Sequence, residues 1–281
     1  MDSDFLVGLD QDHPGFTDAR YRSQRDQIAR LATEYLQDRK TNVDLELPVV
    51  GYENHQHELW NHLYTTILSR YKKYAVQDVN NGLLDLKLNS EQIPTLASVN
   101  KALYPRTGFK VVPVSGLVSS RYFFSSLQNL EFYCTQYIRH HSKPDFTPEP
   151  DICHDVIGHV PLLMDPKIAR CYIQFAKAAL RANDEQIKQL ENLYWFTVEY
   201  GLVYEEKELK TWGAGNLSSY SDLRRCVNSD QVQHLEFDIE MMCNQEYDPT
   251  IQQPLLFVAK SLAQALDDLG HYFRSEYKIE D

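Results

Sequence analysis

No stretch of this chain is apolar for long enough to cross a bilayer, and it opens on Met1-Asp2-Ser3-Asp4-Phe5, acidic where a secretory leader is basic. The expectation is a cytoplasmic protein with no membrane partner. Clusters of lysine and arginine are missing as well: 28 basic residues stand against 40 acidic ones, for a formal net charge of -12. Sequence-independent nucleic-acid binding depends on neutralising phosphates, so no nucleic-acid partner is expected and a small-molecule substrate is the better default. Cysteine is scarce. Cys134, Cys153, Cys171, Cys226 and Cys243 are odd in number and contain no Cys-x-x-Cys pair, which argues against a disulfide framework and against a thiolate zinc site. Repeats, low-complexity tracts and linker-like stretches are lacking too. With 281 residues and 43% hydrophobic content, the chain reads as one domain spanning 1–281.

The residues that are present carry mainly helical patterns. Asp12-His13-Pro14-Gly15 is turn-like, and Ile28, Leu31, Ala32, Tyr35 and Leu36 then recur at helical spacing. A second stripe runs through Trp60, Leu63, Tyr64, Ile67, Leu68 and Tyr71 with a polar opposite face. Asn80-Asn81-Gly82 predicts a break, residues 93–103 a short helix, 109–114 a strand and 122–139 a helix. Three prolines between Lys143 and Pro150 predict an irregular segment. Residues 168–182 read as a helix, and Asn183 with Gln186 forms a capping-box pattern opening another, which stops at Gly201. Beyond it come Leu209 to Trp212, a Gly213-Ala214-Gly215 loop, a strand-like alternation at Leu235, Phe237 and Ile239, and a last helix through Leu262, Leu266, Leu269, Tyr272 and Phe273. The expected fold is mainly α with a few short β-strands.

Chemistry is concentrated in two places. Pro150-Asp151-Ile152-Cys153-His154-Asp155-Val156-Ile157-Gly158-His159-Val160-Pro161 sets two histidines among apolar and turn-forming residues. Further on, Tyr194-Trp195-Phe196-Thr197-Val198-Glu199-Tyr200-Gly201 holds a carboxylate in a nearly unbroken apolar run, where a lone ionised group is costly to bury. An ordinary carboxylate there would pair with Arg or Lys, and residues 189–203 offer neither. Two imidazoles and one carboxylate satisfy one another around a divalent metal and leave its other positions open, which points to an enzyme using iron(II), manganese or zinc.

Geometry sets a condition on that reading. Residues five apart on a regular α-helix are separated by about 140° of rotation, so His154 and His159 face one ion only if the backbone is distorted. Gly158 and Pro161 mark a place for the helix to end or to widen into a π-like turn. His57 and His62 have the same spacing, with Glu58 giving a superficial likeness to a His-Glu-x-x-His metalloprotease pattern, but the spacing fails and no breaker interrupts their stripe. They read as solvated surface, as do His140, His141, His234 and His271.

Several further segments, taken in order, carry a resemblance: Asp12 to Phe16, Val114-Ser115-Gly116-Leu117-Val118-Ser119-Ser120-Arg121, Gln136 to His140, Thr147-Pro148-Glu149-Pro150-Asp151, the histidine segment, Tyr194 to Gly201, and Gly213 to Ser219. Together they resemble the aromatic amino acid hydroxylases, pterin-dependent non-haem iron monooxygenases, and in particular the bacterial branch acting on phenylalanine. The resemblance implies that His154, His159 and Glu199 ligate iron(II), with tetrahydropterin and dioxygen supplying the oxidant that converts L-phenylalanine to L-tyrosine. It also implies that Arg139 binds the substrate carboxylate with Asp151 orienting it, although the residues alone would make Arg139 surface. Thr147 and Ser218 would contact the amino acid backbone, and Pro150 and Trp195 would wall its ring. Phe123 would stack on the pterin, with Gly116, Val118 and Ser120 giving close backbone approach and Asp155 facing its polar side. Tyr194 would tune metal-bound water.

The chain departs from the family pattern at three positions: Asp155 where animal members carry Glu, Trp212 just before the Gly213-Ala214-Gly215 segment where Tyr is common, and Val118 for a frequent Leu. With no regulatory domain and no long tetramerisation helix expected, the resemblance implies a monomer or weak dimer. The alternatives are tryptophan or tyrosine hydroxylation, a zinc-dependent hydrolase using the same three ligands, and a non-catalytic helical binding protein.

Overall fold

The apolar stripes become helices whose inner faces share a core centred on Trp60, Ile67, Tyr71, Leu163 and Phe175. The computed structural model describes residues 5–6, 9, 11–42, 44–145 and 149–279. A two-residue strand β1 (Phe5–Leu6) precedes α1 (Ala19–Asp38), α2 (Asn54–Tyr74), α3 (Gln77–Leu86) and α4 (Leu96–Thr107). Then come β2 (Lys110–Pro113), β3 (Leu117–Val118), α5 (Ser120–Gln128) and β4 (Glu131–Cys134). A first π-helix (His154–His159) runs into α6 (Val160–Leu163), followed by α7 (Pro166–Ala179) and α8 (Asp184–Tyr194), which passes into a second π-helix (Trp195–Glu199). The last third holds β5 (Leu202–Glu205), β6 (Glu208–Thr211), α9 (Ala214–Leu217), α10 (Tyr220–Asn228), β7 (Gln233–Glu236), α11 (Ile239–Asn244), β8 (Leu255–Ala259) and α12 (Leu262–Tyr277).

The strands are few and serve as ties. β1 pairs antiparallel with β3, β2 pairs parallel with β4, and the remaining four form a sheet in the order β6-β5-β8-β7. Within that sheet only the β5–β6 hairpin is antiparallel. The capping box at Asn183 and Gln186 forms as its sequence predicts, with reciprocal bonds of 2.9 and 3.0 Å.

Four sequence expectations need correction. Asn80-Asn81-Gly82 lies inside α3 and does not break it. A Cβ on Gly82 would come within 2.3 Å of the Pro161 carbonyl oxygen, so the glycine is there for the close crossing of α3 and α6. Residues 122–139 are not one helix: α5 ends at Gln128, Leu130 takes a left-handed conformation (φ 57°), and the chain re-enters as β4, whose Phe132 and Tyr133 suit a buried strand. The Gly213-Ala214-Gly215 segment is not a plain loop, because Ala214–Leu217 close a short helix. The alternation at 235–239 ends early, since Ile239 opens α11 under an N-cap from Asp238.

Candidate active site

The first π-helix meets the geometric condition set by the histidine spacing. Its bonding adds a residue to the turn, as in the bond from the Val160 N–H to the Asp155 carbonyl five residues back. Residues five apart then share a face. The Tyr71 hydroxyl donates to the buried Ile157 carbonyl (2.5 Å), so α2 braces the distorted turn. As a result His154 Nε2 and His159 Nε2 lie 3.0 Å apart, with their rings edge to face.

Glu199 arrives from the second π-helix, where the Tyr200 N–H again bonds five residues back, to Trp195 (2.9 Å). The Thr197 hydroxyl donates to the Leu193 carbonyl (2.5 Å), covering backbone in the widened turn. Glu199 Oε1 is 3.0 Å from His159 Nε2 and Oε2 is 3.6 Å from His154 Nε2. Among the described residues these imidazoles are its only ion-pair partners, so no Arg or Lys takes the role a structural carboxylate would require. Burial works against the carboxylate, but the facing imidazoles outweigh it and hold the Glu199 pKa below the ordinary value. Burial also pushes His154 down to about 4, which keeps its nitrogen free of a competing proton at neutral pH.

The outer nitrogens are held from behind. His154 Nδ1 lies 3.0 Å from Ser218 Oγ, and His159 Nδ1 lies 2.9 Å from the Tyr172 hydroxyl oxygen. Such contacts fix ring orientation and leave both Nε2 atoms aimed at the Glu199 carboxylate. Asp155 also lies close enough to form a three-residue cluster with the histidines. Its Oδ2, however, already accepts from the Thr135 N–H (2.7 Å) and hydroxyl (2.8 Å), and burial raises its pKa to about 7. Of the two carboxylates Glu199 is the freer to serve as a third donor, and two nitrogens with one anionic oxygen grouped on one side of a point, the other side open, would suit an octahedral metal that keeps exchangeable positions.

That open side is a cavity of about 410 Å³. Of the residues expected at the site, the cavity is lined by His154, His159, Glu199, Tyr194, Asp155, Phe123, Gly116, Val118, Ser120, Pro150 and Trp195. Phe123 stands edge-on to Tyr194 (centroids 5.6 Å), and Trp195 stacks on Tyr247 (4.1 Å, 8°) while its Nε1 donates to Gln253 (3.1 Å). Arg139, Asp151 and Ser218 form a buried rank just behind this wall. Arg139 is thus not the surface residue that its local sequence suggests. Its Nε and Nη2 grip Asp151 at 2.9 and 2.7 Å, and Nη1 donates to the carbonyls of Pro144 and Ser218 (3.1 and 3.3 Å). Asp151 also accepts the His154 backbone N–H (2.9 Å), so one carboxylate orients the guanidinium and caps the helical segment carrying the ligands. Thr147 lies outside the described residues.

Sequence reading missed Tyr172, Thr135, Tyr247 and the bidentate grip of Glu149 on the buried Arg25 (2.9 and 2.8 Å). For Tyr172 a faint signal existed: a tyrosine at a core position of α7 needs a partner for its hydroxyl. Of the other histidines, His62, His141, His234 and His271 are exposed as expected. His140 is not; it is buried against Tyr21 and bonds Ser142 and Asp18 (2.8 and 3.3 Å). His57 is half-buried and accepts the Ile93 N–H at 3.1 Å.

Known proteins resemble this chain in sequence and in fold. The model of the biopterin-dependent aromatic amino acid hydroxylases matches residues 3–279. Phenylalanine-4-hydroxylase of Rattus norvegicus is 41% identical over 261 residues, 92% of this chain and 56% of the relative. Tyrosine 3-monooxygenase of Mus musculus is 40% identical over 272 residues, 95% of this chain and 53% of the relative. The chain therefore spans about half the length of these curated relatives. Among solved structures, phenylalanine hydroxylase of Chromobacterium violaceum with bound iron(III) and 7,8-dihydrobiopterin superposes with a TM-score of 0.77 at 31% identity, covering 83% of this chain and 86% of that one.

Proposed function

The chain belongs to the biopterin-dependent aromatic amino acid hydroxylase family, and on that premise we propose that it converts L-phenylalanine to L-tyrosine with iron(II), a tetrahydropterin and dioxygen. The observation that carries the reading is the convergence of His154 Nε2, His159 Nε2 and one Glu199 carboxylate on an aromatic-walled cavity. The donor set fits iron(II): two imidazoles already braced through Nδ1, one carboxylate, and no thiolate to favour a softer ion. Held there, iron would activate dioxygen with electrons from the tetrahydropterin, and dioxygen would supply the oxygen atom that enters the ring.

The chain's own residues bind and orient. Phe123 offers a ring face to the pterin, backbone at Gly116, Val118 and Ser120 lets it approach closely, and Asp155 presents a carboxyl to its polar side. Pro150 and Trp195 clamp the substrate ring and keep water from it. Arg139 is assigned the substrate carboxylate with Asp151 orienting it: four of its five N–H groups already serve Asp151, Pro144 and Ser218, which leaves one Nη2 N–H as the charge-assisted donor, and Thr147 and Ser218 are assigned the neighbouring polar atoms. Tyr194, buried on the ligand side of the cavity, tunes the metal's surroundings.

Phenylalanine is favoured over tyrosine by the solved bacterial relatives, whereas the animal relatives of both kinds match at nearly equal identity. The deciding experiment is anaerobic reconstitution with iron(II), followed by phenylalanine, tetrahydropterin and air, with product read by chromatography. Tyrosine that forms only when all four components are present is the expected result. Product from tryptophan or tyrosine alone would reassign the substrate, and hydrolytic activity with zinc and no oxygen requirement would overturn the reaction class.

A further inference from the structure

We propose that Tyr172 is a positioning residue of the metal centre, whose buried hydroxyl holds His159 through Nδ1 and sets the direction of its Nε2. The inference rests on the reading of His154, His159 and Glu199 as metal ligands.

Tyr172 is fully buried on α7, packed among the rings of Phe109, Phe132 and Tyr194, and it does not line the cavity. Whatever it does for the centre, it does through His159. The two ligand histidines are held by different kinds of hydroxyl environment. Ser218 already donates its proton to the Ala214 carbonyl (2.9 Å), so toward His154 Nδ1 (3.0 Å) it can only accept. His154 therefore carries its proton on Nδ1 and presents a lone pair on Nε2. On the other ligand, the Tyr172 hydroxyl oxygen lies 2.9 Å from His159 Nδ1, the corresponding outer nitrogen.

A histidine that offers Nε2 to a metal keeps its proton on Nδ1, and a phenol oxygen can accept that proton's hydrogen bond as the Ser218 hydroxyl does for His154. Because the Tyr172 ring is fixed in the core, its hydroxyl sets the plane of the His159 ring and so the direction in which Nε2 points.

The test is titration of metal-free protein with cobalt(II), following its ligand-field absorption, in wild type and Tyr172→Phe. Loss of a group that orients a ligand histidine is expected to weaken cobalt binding by roughly 10- to 100-fold and to shift the bound-cobalt bands. Thermal unfolding of the metal-free proteins is measured alongside, to show that both are folded. Equal affinity and an unchanged spectrum in a folded Tyr172→Phe protein would overturn the proposal. Failure of wild type to bind cobalt would instead remove the metal-site reading beneath it. Should Tyr172→Phe not fold, 3-fluorotyrosine at position 172 keeps the ring and alters the strength of the hydroxyl's hydrogen bond; it must then shift the cobalt bands, and unchanged bands would overturn the proposal.

Discussion

His57 and His62 stand five residues apart, as His154 and His159 do, and the two pairs behave differently. On α2, an uninterrupted α-helix, the first pair splits: His57 turns inward to accept a backbone N–H from Ile93 and His62 points to solvent. On the first π-helix the second pair closes to 3.0 Å between Nε2 atoms. The spacing is the same, so the backbone decides. What makes the difference is a turn with one extra residue, a hydroxyl from Tyr71 on the Ile157 carbonyl, and a glycine that admits a neighbour. Each pair also has a glutamate nearby in sequence or space. Glu58 is exposed, whereas Glu199 is brought from a second π-helix to within 3.0 Å of an imidazole.

The largest effect is expected from breaking the site at its anion. Glu199→Ala leaves two imidazoles without the third donor, and tyrosine formation should be abolished while circular dichroism remains that of wild type, since the residue's contacts are with the ligands. Glu58→Ala on the other pair should change nothing in the same assay. Full turnover by Glu199→Ala would sink the ligand assignment.

A smaller effect comes from attacking the backbone that separates the two pairs. A Cβ at Gly158 would lie 2.7 Å from the Ala214 carbonyl oxygen, in the short helix α9 that leads to Ser218, the partner of His154 Nδ1. Gly158→Ala should cost about 1 to 3 kcal/mol in urea unfolding, in the range of overpacked interiors. It should also weaken cobalt binding, because α9 must shift and Ser218 moves with it. Loss of stability with metal affinity intact would mean that the π-turn tolerates the displacement and that α9 does not set the geometry of His154.

How far the sequence could be read follows from the same physics. The convergence of His154, His159 and Glu199 was legible because a buried carboxylate without a cation and two histidines beside a glycine are costly unless something satisfies them. Even the need for a widened turn could be argued, from five-residue spacing and helical rotation alone. Local reasoning failed where a distant segment supplied the cause. Gly82 reads as a break until Pro161 is seen against it, and residues 130–134 read as helix until β2 offers a strand to pair with. Arg139 and His140 read as surface because Asp151 and Tyr21, which bury and satisfy them, lie elsewhere in the chain. Tyr172 gave only a faint signal for the same reason: a core tyrosine needs a partner, but that partner, His159, is 13 positions away on another helix.

The smallest effect tests whether spacing without distortion counts for anything. His62→Ala removes an exposed side chain and should change stability by less than about 0.5 kcal/mol. His57→Ala leaves the Ile93 N–H without its acceptor, a half-buried bond whose loss is expected to cost about 1 kcal/mol in urea unfolding. Neither imidazole reaches the cavity, so the double variant should bind cobalt with wild-type affinity and make tyrosine at the wild-type rate. If its metal stoichiometry fell by one ion while turnover persisted, α2 would hold a second metal, and the contrast between a regular and a widened helix would no longer explain which pair of histidines becomes a site.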